Sequence, residues 1–136
     1  MKRLFLLFAV WASLAYVSLA QTHFRKLSHD KGIEVAKTEG KLLFIDFYTT
    51  WCPPCKMMSE KIFPQKEVGD FMNERFVCIK LDVEKEGSPY AERYQIRAVP
   101  TFVIFNPKNK MILYNQAGAT ADGAAFIEKM KQAIGE

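Results

Sequence analysis

Cys52 and Cys55 stand three residues apart in the stretch TTWCPPCKMM, Thr49 to Met58, with Pro53 and Pro54 between them. Zinc binding, covalent haem attachment, a structural disulfide and thiol–disulfide exchange all use that spacing. Haem attachment requires a histidine directly after the second cysteine, and Lys56 occupies that position. A structural zinc site requires four ligands, usually two pairs. The remaining thiol and imidazoles are Cys78, His23 and His29, one mid-strand and two at the far N-terminus, so no metal is expected. A purely structural staple stays open, although a disulfide closing so short a loop restrains the unfolded chain little.

Exchange chemistry has a positive argument. The motif falls where an apolar run ends and a helix begins. The first turn of a helix has unpaired N–H groups and a partial positive charge. A sulfur there is stabilised as thiolate, the reactive form. Cys52 is expected exposed at the helix mouth as nucleophile. Cys55, one turn on and more buried, resolves the mixed disulfide. Pro53 and Pro54 fit a first turn, where no intrahelical donor is needed, and stiffen the loop.

The elements that must hold this motif read from the pattern. Gln21 to Leu27 is a short polar connector. Ser28 caps a helix running to about Thr38, with Ile33, Val35 and Ala36 as apolar positions, and Gly40 ends it. KLLFIDFYTT is nearly continuously apolar, which predicts a strand covered on both faces. Asp46 is the one charge that interrupts the run from Leu42 to Tyr48. A helix starts at about Pro53, Pro64 breaks or kinks it, and KEVGDFMNERF restarts it. Phe76 to Val83 is a strand. Ser88 and Pro89 read as N-cap and first position of a helix reaching about Tyr94. Thr101 to Asn106 and MILYNQ form a hairpin around PKNK. Thr120 caps a last helix, with Phe126, Ile127, Met130 and Ile134 as its buried face. Early alternation of helix and strand favours parallel pairing, and the hairpin adds an antiparallel edge. Met57, Met58, Phe63 and Phe71 read as packing, and Cys78 as a buried thiol acting as a small hydrophobe.

Asp46, then Trp51-Cys52-Pro53-Pro54-Cys55-Lys56, then Val99-Pro100-Thr101 resembles the thioredoxin superfamily, from about Ser28 to the C-terminus. Gly118 is similar to a glycine found before the last helix of that family. The resemblance implies an α/β thioredoxin fold, a central mixed sheet flanked by helices. It implies that Asp46 lies beneath the disulfide and shuttles a proton to or from Cys55, and that Lys80 pairs with Asp46. It implies a cis Pro100 facing the CxxC, a Val99 backbone that pairs with a substrate strand, and Trp51 as a flat wall beside the sulfur that docks partners. The Phe-Pro-x-x-x-Val break at Phe63 to Val68 looks like the thioredoxin-like domains fused to, or served by, the membrane electron conduit of the bacterial envelope.

The chain has 136 residues, enough for one domain. Lys2 and Arg3, the apolar run Leu4 to Ala20 and the small residues Ser18 and Ala20 form a secretory signal over residues 1–20. An uncleaved anchor is the alternative, since the run is at the lower edge of what spans a bilayer. The domain is then 21–136, in the periplasm. Formal charge is +4, of which Lys2 and Arg3 supply two, so no basic block remains for nucleic acid. The expected activity is that of an exported protein-disulfide reductase, acting as a monomer without metal or organic cofactor. Its substrates are disulfide-containing proteins and its electrons come from a membrane thiol carrier. A disulfide oxidase or isomerase, or a client-binding module without turnover, remains open.

Overall fold

The computed structural model describes residues 21–136, so the signal segment lies outside the described residues. In chain order the elements are α1 (His29–Glu39), β1 (Leu42–Tyr48), α2 (Pro53–Met57), which runs on through a π-helical turn (Met58–Ile62), and α3 (Lys66–Arg75). Then come β2 (Phe76–Asp82), α4 (Ser88–Arg93), β3 (Thr101–Asn106), β4 (Met111–Ala117) and α5 (Gly123–Ile134). The strands form one mixed sheet ordered β2-β1-β3-β4. β1 pairs parallel with β2 and antiparallel with β3, which pairs antiparallel with β4.

β1 is interior, and its apolar residues serve two cores in alternation, because successive side chains on a strand point to opposite faces. Leu43, Ile45 and Phe47 join Val77, Ile79, Leu81 and Val103 on one face, with Ala36 of α1 and Tyr94 after α4. Phe44 joins Phe76, Cys78, Phe102 and Ile104 on the other, with Met58, Phe63, Phe71 and Phe126. Phe44 is the hub of this second core: the rings of Phe102, Phe76, Phe126, Phe63 and Phe24 lie 5.5, 6.0, 6.2, 6.3 and 6.4 Å from its own. Truncating such a ring to alanine typically costs about 3–5 kcal/mol. The alternation that sends Phe44 to this face sends Asp46 there as well, and the same parity in β2 sends Lys80. The register sets Asp46 directly beside Lys80.

Two local expectations, both helix caps, are corrected, and two others gain detail. Gln21 to Leu27, the short connector, is a docked strap. Phe24 bridges in parallel to Cys78, Thr22 N–H donates to Phe63 O at 2.8 Å, and Arg25 N–H donates to Cys78 O at 2.9 Å. The strap covers the free edge of β2, where unpaired backbone groups need partners. Gly87, not Ser88, is the N-cap of α4: its carbonyl already accepts from Ala91 N–H at 2.8 Å, placing Ser88 and Pro89 inside the first turn. Asp122, not Thr120, caps α5, since its carboxylate accepts from Ala124 N–H at 3.0 Å. Thr120 instead directs its N–H to Met58 Sδ at 3.4 Å, tying the start of α5 to the turn after α2. The first expected helix past the cysteines ends at Ile62, in the wider π-helical turn, before Pro64. Ser28 and Gly40 bound α1 as the sequence reads: Ser28 Oγ accepts from Lys31 N–H, and Gly40 adopts φ 67°. Among the described residues no helix is long and apolar enough to cross a membrane.

Candidate active site

Cys52 is the N-cap of α2. Its backbone is extended (φ −80°, ψ 109°), and its sulfur accepts from Cys55 N–H at 3.2 Å. The sulfur therefore takes one of the donors that a helix start leaves unpaired. Pro53 and Pro54 fill the first turn, where neither lacks a donor the helix would use. Cys52 and Cys55 are joined in a disulfide, with their Cα atoms 5.3 Å apart.

The expected exposure of Cys52 is corrected: in the disulfide form it is 2% accessible and Cys55 4%. Two neighbours explain this. Val99 O lies 3.7 Å from Cys52 Sγ, and the bond to Cys55 draws the sulfur in. The asymmetry survives in another form. Cys52, but not Cys55, lines a groove of about 410 Å³, with Trp51, Pro53, Glu84, Ile96 and Val99 among its walls. Trp51 is 63% exposed, so it is a wall of this groove and no part of the core. Its indole Nε1–H donates to Glu84 Oε1 at 3.0 Å, which fixes the ring plane.

The opposite wall is the loop before β3. The Val99–Pro100 peptide is cis. Thr101 Oγ1 donates to Ala98 O at 2.7 Å and Gly118 N–H donates to Pro100 O at 2.9 Å, so both ends of the loop are held. Gly118 has φ 112°, a region that residues with a Cβ rarely adopt, which explains a glycine here.

Asp46 lies on the sheet face beneath the helix that carries Cys55. It is 1% accessible, and neither carboxylate oxygen has a hydrogen-bond partner. Lys80 Nζ stands 3.4 Å from Oδ2, an ion pair without hydrogen-bond geometry. Burial pushes the Asp46 pKa up to about 6, with Lys80 opposing the rise. A carboxyl that titrates near neutrality can both take and give a proton. Lys80 is itself confined: its ammonium donates to Ser59 Oγ and sits 5.0 Å from the Phe24 ring and 5.3 Å from that of Tyr48. The fold thus brings together Trp51, Cys52, Pro53, Pro54 and Val99 around one groove, with Cys55 behind it in the disulfide, Pro100 next to Val99 across the cis peptide, and Asp46 paired with Lys80 on the sheet. Cys78 is buried at the strap side of the sheet, where burial pushes its thiol pKa far up.

Glu84, Ile96, Ser59 and Phe24 were not singled out by sequence. Ser59 had a signal, since it follows Cys55 by four residues and a helix sets such pairs on one face. Glu84 had none, because its partner Trp51 is distant in sequence.

A family model described as a thioredoxin-like domain matches residues 29–134. The thioredoxin of Echinococcus granulosus is 36% identical over 91 residues, covering 67% of this chain and 78% of that protein. Chloroplastic thioredoxin Y of rice (Oryza sativa subsp. japonica) is 40% identical over 72 residues, 53% of this chain, and the match spans only 40% of the rice protein's length. Among solved structures, a Bacteroides thetaiotaomicron protein described as a candidate disulphide isomerase superposes with a TM-score of 0.74 at 36% identity, covering 84% of this chain and 93% of that one.

Proposed function

This chain belongs to the thioredoxin-like family, and from that premise we propose that it is an exported protein-disulfide reductase with Cys52 as nucleophile and Cys55 as resolving thiol. The single observation that carries the reading is the Cys52–Cys55 disulfide at a helix N-terminus, opening on an apolar groove, with a carboxyl buried without a hydrogen-bond partner on the sheet beneath.

The described form is the oxidised one, so a cycle starts with two electrons and two protons from an external dithiol. Cys52 thiolate then attacks one sulfur of a client disulfide. The client S–S bond breaks, its other sulfur leaves as thiolate, and a mixed disulfide forms. Asp46 carboxylate takes the proton from Cys55. Cys55 attacks Cys52 Sγ, the bond to the client breaks, and the client departs as a dithiol reduced by two electrons. The protein returns to the disulfide form and Asp46 releases its proton. An extended client segment lies against Val99, whose backbone recognises it without regard to side chain. Trp51 supplies the flat apolar wall. Lys2, Arg3 and the apolar run after them support export to the periplasm. There a membrane thiol carrier is the fitting electron source, in keeping with the Phe-Pro-x-x-x-Val likeness. The description of the Bacteroides neighbour favours isomerisation as the second reading. It uses the same first step and leaves the client with a different disulfide.

Trapping tests the reading. Cys55→Ser should accumulate covalent client adducts through Cys52, released by dithiothreitol, and Cys52→Ser should form none. Binding retained without adducts would make the chain a client-holding module.

A further inference from the structure

Lys80 lies on β2 beside the strap with its side chain 27% exposed, and its ammonium is turned toward Asp46. Three things hold it there. Ser59 Oγ, on the π-helical turn after α2, accepts from Nζ. The Phe24, Tyr48 and Phe63 rings lie 5.0, 5.3 and 5.8 Å from Nζ, distances at which a cation is attracted to a ring. Asp46 Oδ2 is 3.4 Å away. Of these, Ser59 alone is a directed polar acceptor supplied by the helix that carries the cysteines.

We propose that Ser59 is a positioning residue for the resolving step: its hydroxyl holds the Lys80 ammonium beside the Asp46 carboxylate, so that Asp46 is ionised when Cys55 must lose its proton. The inference rests on the proton role given to Asp46 above. In that step the Cys55 S–H proton passes to Asp46, Cys55 bonds to Cys52 Sγ, and the client sulfur leaves with the electron pair of the broken bond.

The charge balance around the pair makes Ser59 decisive. Among the described residues Asp46 has no hydrogen-bond partner, and Lys80 is the only one that stabilises it as an anion. From β1 the neighbouring titratable group is Tyr48, and from β2 they are the buried Cys78 and the buried Asp82, which pairs in register with Tyr48. From the strap, Arg25 is held by Glu39, and Lys26 borders the outer side of Lys80. From the turn after β2, Glu86 borders the same outer side. Beside Ser59, Glu60 and Lys61 are exposed. Glu86 would draw a released Lys80 outward, away from Asp46. Loss of the Ser59 hydroxyl therefore raises the Asp46 titration midpoint, because an opposite charge that moves away no longer favours the anion.

The test follows the Asp46 carboxyl carbon by NMR in the disulfide form, across pH 4–9, in the parent, Ser59→Ala and Ser59→Thr. Ser59→Ala should titrate about one pH unit higher, and Ser59→Thr, which keeps the hydroxyl, should titrate with the parent. In a Lys80→Met background Ser59→Ala should add no further shift. A merely structural role for Ser59 would lower the unfolding midpoint and leave the titration in place. An unmoved or lowered midpoint in Ser59→Ala overturns the proposal. In parallel, the pH profile of insulin disulfide reduction by the reduced protein should show its acid limb displaced by the same amount. A displaced titration with an undisplaced rate profile upholds the placement of Lys80 by Ser59 and overturns the proton role of Asp46.

Discussion

Asp46→Asn should raise stability at neutral pH relative to its effect at acid pH. The carboxyl is fully buried and its folded pKa is about 6, against an ordinary value of 3.8. The folded state therefore binds the proton more tightly than the unfolded chain does. Stability changes with pH in proportion to the protons bound unfolded minus those bound folded. Between the two pKa values the folded state holds the proton and the unfolded chain does not, so stability falls as pH rises through that window. Above it the ionised Asp46 costs about 3 kcal/mol, from roughly two pKa units at 1.36 kcal/mol each. Asparagine is nearly the same shape and does not ionise. It carries its own cost as a buried amide and leaves Lys80 without its counter-charge, but the amide cost does not depend on pH. The informative quantity is therefore the change in the mutational effect between pH 3.5 and pH 7.5, which should favour Asn by about 3 kcal/mol at the higher pH. Urea unfolding of the disulfide form of both proteins, at half-unit pH steps, reads it directly. A difference that stays constant across that range would refute the assignment of Asp46 as a buried group that titrates near neutrality.

Two further outcomes follow from packing. Gly87→Ala sets a Cβ 2.6 Å from Asp82 O and 3.0 Å from Leu81 Cβ, so the turn after β2 must shift, with a loss of about 1–3 kcal/mol in urea unfolding. Cys78 is 1% accessible, with its thiol pKa raised by burial. It should resist iodoacetamide in the native disulfide form at pH 8 and react within minutes in denaturant; rapid native labelling would show that the strap over it opens.

The chemistry of Cys52 and Cys55 was legible in sequence because it depends on local order: an apolar strand, a tight turn and a helix that starts at the first sulfur. The continuous apolar run of β1 announced a covered strand, whereas the face that Asp46 shares with Phe44 and Lys80 comes from the sheet register. The accessibility of Cys52 was not legible, because Val99 O, forty-seven residues away, covers its sulfur. Helix caps were misplaced by one or two residues at Ser88 and Thr120. In both cases a nearby residue, Gly87 or Asp122, had the geometry that closes the first turn. The strap from Gln21 to Leu27 carries no periodicity of its own. Its order comes from an exposed strand edge and from Phe24 filling the core beside Phe63, 4.9 Å between rings. The inward turn of Lys80 likewise needed the fold, because Ser59, Phe24 and Asp46 come from three separate segments.

The reductase reading stands or falls on the reduction potential of the Cys52–Cys55 pair. It is measured by equilibrating the protein in dithiothreitol buffers of known poise and quantifying free thiols after acid quench. The reductase reading requires a value near −270 mV, the range of a disulfide reductant. A value near −120 mV would contradict it, since such a pair donates its disulfide to clients instead of removing theirs.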